Sequence, residues 1–376
     1  MRNQQMERPT NQQLRAQARS PYMEWAKLCS LARFNLATSG IDSYPLAELP
    51  VGLDDLEING PTGYGYEPLQ QRLAAKCGVP PECVVLAVGT SLANNLALAG
   101  TTEYGDEILL ESPAYEPIAS TARFLGLQVR SFERRFEGGF RIDPREVERQ
   151  MTPRTRLIVI TNLHNPSGTL TDEATLRQLG EIAHAHNARV LVDEVYLELG
   201  FGRAPRSAFH LSPRDFVITT SLTKGYGLSG VRCGWILAEP DLARRIWHIN
   251  DLYGSTFAHP AERLSVIALD NLEQVAKRAK AILEKNRPLL DRFLDAQEGK
   301  TLDVVRPPFG TVCFPRLRRG SAAEFCKLLR KKYETTVVPG EFFAMPQHFR
   351  VGIGGNPEMT AEGLQRLGAA LVEFSN

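Results

Sequence analysis

The sequence predicts an α/β protein of three layers, with helices on both faces of a mostly parallel sheet, joined to a smaller α+β lobe. Three observations predict it. Seven short apolar runs follow one another between residues 83 and 238. Amphipathic stretches of helical period lie between them. Past residue 260 the texture changes to long charged helical stretches and a few short extended ones. Near-continuous Val/Ile/Leu runs belong to strands buried on both faces, the condition of a parallel sheet with helices on each side. At 376 residues the chain also exceeds what one hydrophobic core usually organises.

In order, the strand candidates are CVVLAVG (83–89), DEILLES (106–112), LQVRSF (127–132), RLIVITN (156–162), RVLVDEVY (189–196), DFVITTSL (215–222) and RCGWILA (232–238). SLANNLALAGTTEY follows the first as a helix, and TDEATLRQLGEIAHAHN precedes RVLVDEVY. PDLARRIWHIND follows the seventh, introduced by Pro240 near a helix start. This α/β order implies right-handed crossovers. Beyond it come VAKRAKAILEKNRPLLDRFLDA, a helix from Ala322 to Lys332 and a last helix near 360–374, with TLDVVRP, TVCFPRL, TTVVPG and FRVGIGG as extended pieces. The large lobe is expected at 46–260 and the smaller lobe at 261–376 together with 1–45. The first 45 residues are too few and too polar for a core of their own, so they should pack on a neighbour as an arm.

Composition narrows the function. With 44 Lys+Arg against 43 Asp+Glu, the net charge of +1 gives no electrostatic reason to expect a nucleic-acid or acidic-membrane partner. Apolar content of 43% with 23% charged residues belongs to an ordinary globular chain. The six cysteines (29, 77, 83, 233, 313, 326) form no CxxC pair and no Cys/His cluster, which reads as reduced, cytoplasmic thiols and no metal site. The Gln/Arg-rich start has no apolar segment of a secretory signal, and no apolar run approaches the roughly 20 residues needed to span a bilayer.

Gly225-Tyr226-Gly227-Leu228-Ser229-Gly230 satisfies G-x-G-x-x-G, the dinucleotide fingerprint. That motif works only where a helix opens inside it, so that a pyrophosphate meets the helix N-terminus. Here VRCGWILA, another extended run, follows, and the fingerprint is set aside.

Ligands of open α/β sheets bind beyond the carboxyl ends of the strands, and four segments put polar groups there. They are Gly89-Thr90-Ser91, Asn165-Pro166-Ser167-Gly168, Asp193 to Tyr196, and Ser221 to Lys224, with Arg232 shortly after. Gly89-Thr90-Ser91 opens a helix, where free N–H groups make a phosphate cup, although an ordinary N-cap would look the same. Asp193 interrupts an apolar strand. Its plainer reading is a strand-end carboxylate satisfied by turn amides; the chemical one is a partner for a pyridine nitrogen. Tyr196 and Asn165 can hold a phenolate oxygen on the same ring, or Tyr196 is simply a core aromatic. Lys224, placed at a sheet mouth, is an edge charge or an amine for an aldehyde cofactor, which requires its pKa to come down from about 10.4 by burial and a cation such as Arg232. Ser221 and Arg232 would add phosphate contacts, and Tyr115 in ESPAYEP can lie on the ring.

The set Asn-Pro-Ser-Gly (165–168), Asp193 to Tyr196 and SLTKGYGLSGVRCGW (221–235) resembles the class I/II aminotransferases, fold-type-I enzymes dependent on pyridoxal 5′-phosphate (PLP). The intervals agree too: 28 residues from Asn165 to Asp193 and 3 more to Tyr196, with Ser221 and Arg232 lying 3 before and 8 after Lys224. The resemblance runs from GPTGYGYEPLQQRLA to FRVGIGG. It implies a PLP-dependent transferase-like fold whose large lobe binds the cofactor, an internal aldimine on Lys224, and Asp193 on the pyridine nitrogen. It further implies Asn165 and Tyr196 on the ring oxygen, Thr90, Ser91, Ser221 and Arg232 on the phosphate, and Tyr115 stacked on the ring. Arg350 matches the arginine that grips the substrate α-carboxylate, with Asn165 and Gly40 beside it. The partners so implied are an amino acid, a 2-oxo acid and a second copy of the chain, with neither nucleic acid nor membrane.

In one respect the chain departs from the family pattern. Relatives carry a tyrosine that reaches the neighbouring subunit's cofactor phosphate, and here Asn59 or Gly60 falls at its place, with Tyr64 and Tyr66 following. The expected activity is transamination; the alternative is a PLP-dependent lyase or cyclase using the same residues. Trp25, Gly40, Ile41, Tyr64, Tyr66 and His164 are candidates for the side-chain pocket, His164 more in keeping with a structural hydrogen-bonder. No second arginine marks a dicarboxylate substrate, which favours neutral or larger side chains. A regulatory protein on the same scaffold would carry a helix-turn-helix domain, for which the polar arm is too short and the net charge too small.

Overall fold

The inner runs become one sheet because each carries a set of apolar residues that only a two-sided core can bury, and the polar LQVRSF joins them as an edge. The computed structural model describes residues 19–61 and 63–375; the first part of the expected arm, residues 1–18, lies outside them. Helix α1 (Pro21–Leu28) and the short strand β1 (Phe34–Asn35) lead, via helix α2 (Glu67–Cys77), into β2 (Val84–Val88), α3 (Gly89–Thr101), β3 (Glu107–Ser112), α4 (Glu116–Phe124), β4 (Gln128–Glu133) and α5 (Pro144–Gln150). Then come β5 (Thr155–Thr161), α6 (Glu173–Ala185), β6 (Arg189–Asp193), β7 (Phe216–Ser221), the single-turn α7 (Leu222–Tyr226), β8 (Cys233–Leu237) and α8 (Pro240–Asn250).

The sheet order is β2-β8-β7-β6-β5-β3-β4. Neighbours from β7 through β4 pair in parallel, while β8 is antiparallel to both β2 and β7. It follows that β2, β3, β5, β6 and β7 all point their carboxyl ends to one edge, and β8 starts there. Leu157 to Ile160, Val190 to Val192, Val217, Ile218 and Trp235 are fully buried between helical layers. The polar edge strand β4 exposes Gln128, Ser131 and Glu133, a composition that discourages pairing with another sheet.

Every expected strand of the large lobe is present, some ending earlier than the apolar run suggested. RVLVDEVY leaves the sheet at Asp193, and DFVITTSL at Ser221, where the Ser221 hydroxyl caps α7 by accepting the Thr223 N–H. The segment after the G-x-G-x-x-G match is strand β8, as read from the sequence, and Gly227 closes α7 at φ +70°.

Helix α9 (His259–Asp270) still packs on the sheet's core through Ala268. The 26-residue α10 (Leu272–Gln297) starts in that core at Val275 and ends in a second one with Leu290 and Leu294. The second core gathers α11 (Ala322–Tyr333) and α12 (Pro357–Ser375) around strands of two to four residues: β9 (Leu302–Asp303), β10 (Val312–Cys313), β11 (Arg316–Leu317), β12 (Thr335–Thr336), β13 (Val338–Pro339) and β14 (Phe349–Gly352). β1 pairs in parallel with β12, and Leu36 lies in the second core, so the N-terminal segment is stitched onto the small lobe. Among the described residues no helix is long and apolar enough to cross a membrane.

Candidate active site

The shared carboxyl edge opens into a cavity of about 210 Å³. Thr90, Ser91, Tyr115, Asn165, Asp193, Tyr196, Ser221, Lys224 and Arg232 all line it. These residues come from separate parts of the chain and meet because the parallel strands end together.

Asp193, last residue of β6, is buried. Its Oδ2 accepts from Asn94 Nδ2 at 2.9 Å and its Oδ1 from the Val195 N–H at 3.1 Å. Asn94 is held in turn by Thr219, whose hydroxyl donates to Asn94 Oδ1 at 2.5 Å. Burial pushes the Asp193 carboxyl up to about 6, against the pull of Asn94, the Val195 amide and Lys224. Lys224 sits in α7, and desolvation lowers its amine from the ordinary lysine value, with Arg350 and Arg232 pushing the same way against Tyr22 and Asp193. The cationic help expected from Arg232 is thus real but secondary to burial and to Arg350.

Gly40 passes directly over this lysine. A Cβ there would lie 3.2 Å from Lys224 Cδ, and the Ile41 N–H donates to the Lys224 carbonyl at 2.9 Å. At the other end of the cavity α3 begins without a side-chain cap; the Gly89 N–H donates to the Arg232 carbonyl at 2.7 Å, and the amides of Thr90 and Ser91 follow it in the first turn. Gly89 there has φ +72°, and a Cβ on it would fall onto the Arg232 guanidinium. Thr90 Oγ1 donates to Ser221 Oγ at 2.8 Å. The Tyr196 hydroxyl donates to Ser39 Oγ at 2.8 Å, and burial raises its pKa.

Arg350, in β14, is buried behind Asn165: Nη1 donates to Asn165 Oδ1 at 2.8 Å, while Nη2 reaches the Tyr22 hydroxyl at 3.0 Å and the Ala37 carbonyl at 3.1 Å. Its Nε is buried with no partner. Because Asn165 Oδ1 faces Arg350, the amide Nδ2 is left to donate toward the cavity.

A family model described as aminotransferase class I and II matches residues 56–367. The chain belongs to that family. Capreomycidine synthase of Streptomyces vinaceus is 26% identical over 332 residues, covering 85% of each chain. Arginine–pyruvate transaminase AruH of Pseudomonas aeruginosa is 28% identical over 350 residues, covering 88% of this chain and 87% of its own. A PLP-dependent aminotransferase from Streptococcus suis superposes with a TM-score of 0.87 at 25% identity, covering 95% of this chain and 98% of the other.

This aminotransferase-family protein is a PLP-dependent enzyme, and its residues fit the cofactor. An uncapped helix start behind a glycine in left-handed backbone suits a phosphate. A desolvated lysine suits an aldehyde, and a buried carboxylate suits a protonated ring nitrogen.

The pocket candidates divide. Trp25 packs on Phe342 with ring centroids 5.5 Å apart and does not line the cavity. His164 is buried, bonded to the Pro113 carbonyl at 2.8 Å and the Ser167 hydroxyl at 2.6 Å, a structural role. Ile41 lies in a small cluster with Leu163 and Tyr196. Tyr64 is exposed, its hydroxyl 3.3 Å from Asp251 Oδ2, and Tyr66 meets the His259 ring edge-on at 4.9 Å; neither lines this cavity. Gly60 abuts that same His259 ring, so a side chain there would displace it.

Sequence reasoning missed Asn94, Ser39, Thr161, Tyr22 and Met23, all of which line the cavity. Asn94 was findable: it lies four residues after Thr90, on the same face of α3. Tyr22 was signalled only by Ser20-Pro21, a helix start whose Ser20 hydroxyl accepts the Met23 N–H at 3.1 Å.

Proposed function

We propose that this protein is an aminotransferase that moves the amino group of an amino acid to a 2-oxo acid, with Lys224 holding PLP. The observation that supports it is the single cavity shared by Lys224 and the buried Asp193, with a phosphate-suited helix start at one end and Arg350 behind the other. When bound, PLP supplies an aldehyde for the substrate amine and a cationic ring that draws electrons from Cα. Asp193, oriented by Asn94, would keep the ring nitrogen protonated. Tyr196 and Asn165 Nδ2 would hold the ring oxygen, and Tyr115 would cover the ring face. Thr90, Ser91, Ser221, Arg232 and the first-turn amides of α3 beyond Gly89 would bind the phosphate. Arg350 would take the α-carboxylate as a two-point contact, and Gly40 keeps room above Lys224 for the substrate. Lys224 Nζ, already disfavoured as a cation by burial, takes the proton from the substrate Cα.

Tyr22, Met23 and Tyr115 face the cavity, and Arg232 is the only arginine lining it among the described residues, which supports neutral or larger side chains over dicarboxylates. A lyase or cyclase is the second reading, favoured by the similarity to capreomycidine synthase, because removal of the Cα proton is common to both. Single-turnover spectroscopy with a panel of amino acids separates them. Transamination leaves the cofactor in its amine form with one equivalent of 2-oxo acid. Recovery of the aldehyde form with ammonia or a cyclised product would overturn it.

We further infer that the large lobe at 46–260 is the cofactor-binding unit and that two copies pair, with Leu53, Ile58 and Leu252, each more than four-fifths exposed, as candidates for the contact. The six free thiols suit a cytoplasmic setting.

A further inference from the structure

Glu111 and Arg134 form an ion pair with no exposed side-chain surface, Arg134 Nη1 donating to Glu111 Oε2 at 2.7 Å. Glu111 is the penultimate residue of β3 and Arg134 follows β4 directly, so the pair stands at the sheet edge that carries the site, yet neither residue lines the cavity. The desolvation of such a pair is barely offset by its own attraction, and apolar residues of similar volume would serve stability as well. Its hydrogen bonds supply another reason for it. Glu111 Oε1 accepts both the N–H and the hydroxyl of Thr161, each at 2.6 Å. With its proton committed there, Thr161 Oγ1 accepts the Asn165 N–H at 2.8 Å, and Asn165 Oδ1 in turn accepts from Arg350. Arg134 braces the far end of the 161–171 segment, Nη2 reaching Thr171 Oγ1 at 3.4 Å, and is itself held by Nε donating to the Phe140 carbonyl at 2.6 Å. Thr171 is tied to Asn162 by two bonds, at 3.1 and 3.2 Å. Every side chain in this chain of contacts is buried.

We propose that Glu111, braced by Arg134, is a positioning residue for the substrate carboxylate: it fixes Thr161 so that Asn165 presents the Arg350 guanidinium in a binding orientation. The proposal rests on the reading of Arg350 given above. It is tested on the PLP-loaded enzyme with two probes that attack the cofactor aldehyde without any turnover, aminooxyacetate, which carries a carboxylate, and methoxyamine, which does not. The ratio of their rate constants, followed by loss of the visible absorbance, measures carboxylate recognition whatever the natural donor.

Thr161→Val removes the hydroxyl link and should lower the ratio about ten- to a hundred-fold, the scale of a misplacement near one ångström. The methoxyamine rate should fall far less than the aminooxyacetate rate, and Thr161→Ser should restore the ratio. Glu111→Gln alone strands a buried cation, so the paired variant Glu111→Gln/Arg134→Met is used, and it should lower the ratio about ten-fold by the same argument. An unchanged ratio in both Thr161→Val and the paired variant, with Arg350→Ala defective, overturns the positioning role and leaves Arg350 as the carboxylate site. Equal slowing of both probes means the pair is merely structural and also overturns it. An unchanged ratio in Arg350→Ala overturns the reading of Arg350 and the positioning role with it.

Discussion

Asp193 should make the cofactor-free protein less stable as pH rises, against the usual behaviour of carboxylates. The residue is 3% exposed, and burial raises its carboxyl from 3.8 to about 6. Between those two values the native state holds a proton that the unfolded chain has released, so stability falls with rising pH. A shift of about two units corresponds to a total of about 3 kcal/mol, of which about 1 kcal/mol falls between pH 5 and 7. The other carboxylates titrate as well, so the measurement is a difference: urea unfolding of apo wild type and apo Asp193→Asn across pH 4.5 to 7.5. The asparagine keeps the shape but has nothing to titrate, and the gap between the two should widen in favour of the variant as pH rises. Loading with PLP should remove that gap, since a cationic ring nitrogen compensates the carboxylate. A gap that stays constant with pH would mean that Asp193 is ionised throughout and that Asn94 and the Val195 amide outweigh burial, and the account of the site's electrostatics would be wrong.

Three further outcomes follow from the geometry. Lys224→Ala should abolish borohydride fixation of PLP, and mass spectrometry finding the adduct on another lysine would overturn the assignment. Arg350→Lys keeps the charge but loses the planar fork; KM for the amino donor should rise about ten- to a hundred-fold while the PLP dissociation constant holds, and the reverse pattern would put Arg350 at the cofactor. Gly89→Ala places a methyl on the Arg232 guanidinium in left-handed backbone, which should cost roughly 1–2 kcal/mol and weaken PLP binding; unchanged affinity for PLP would separate this turn from the phosphate.

The large lobe was legible because its inner strands are buried on both faces and show as apolar runs. Their ends were less so: Glu194 to Tyr196 keep a strand-like composition, yet Asp193 has already turned the chain out of the sheet. The small lobe's strands are two to four residues long and set by tertiary pairing, so TLDVVRP yields only Leu302–Asp303. Among site residues, the signal that singled out Asp193, a carboxylate in an apolar run near its end, was equally present at Glu111 in DEILLES and passed unread. Asn94 was signalled only by its place four residues after Thr90, and an asparagine inside a helix otherwise looks like a weak helix former.

The two ends of the cavity differ in how they are built, and that difference explains why the cofactor can be read from spacing while the substrate cannot. The cofactor end is made by β2, β5, β6 and β7 finishing together, so fixed intervals along the chain become fixed positions in space. At the end proposed for the substrate three segments converge without any such register. α1 contributes Tyr22 and Met23 and the stretch after β1 contributes Ser39 to the lining, while Arg350 of the small lobe stands behind them, its guanidinium carbon 5.5 Å from the Phe343 ring centroid and 5.8 Å from that of Tyr22. Tyr22 further meets Tyr115 edge-on at 5.5 Å. Each contact depends on how α1 and the small lobe dock against the sheet, which no interval encodes. On the proposed reading, the choice between returning the Cα proton and letting the side chain react would fall to the part of the site least visible in sequence, and substitutions at Tyr22 and Met23 are where it should first be moved.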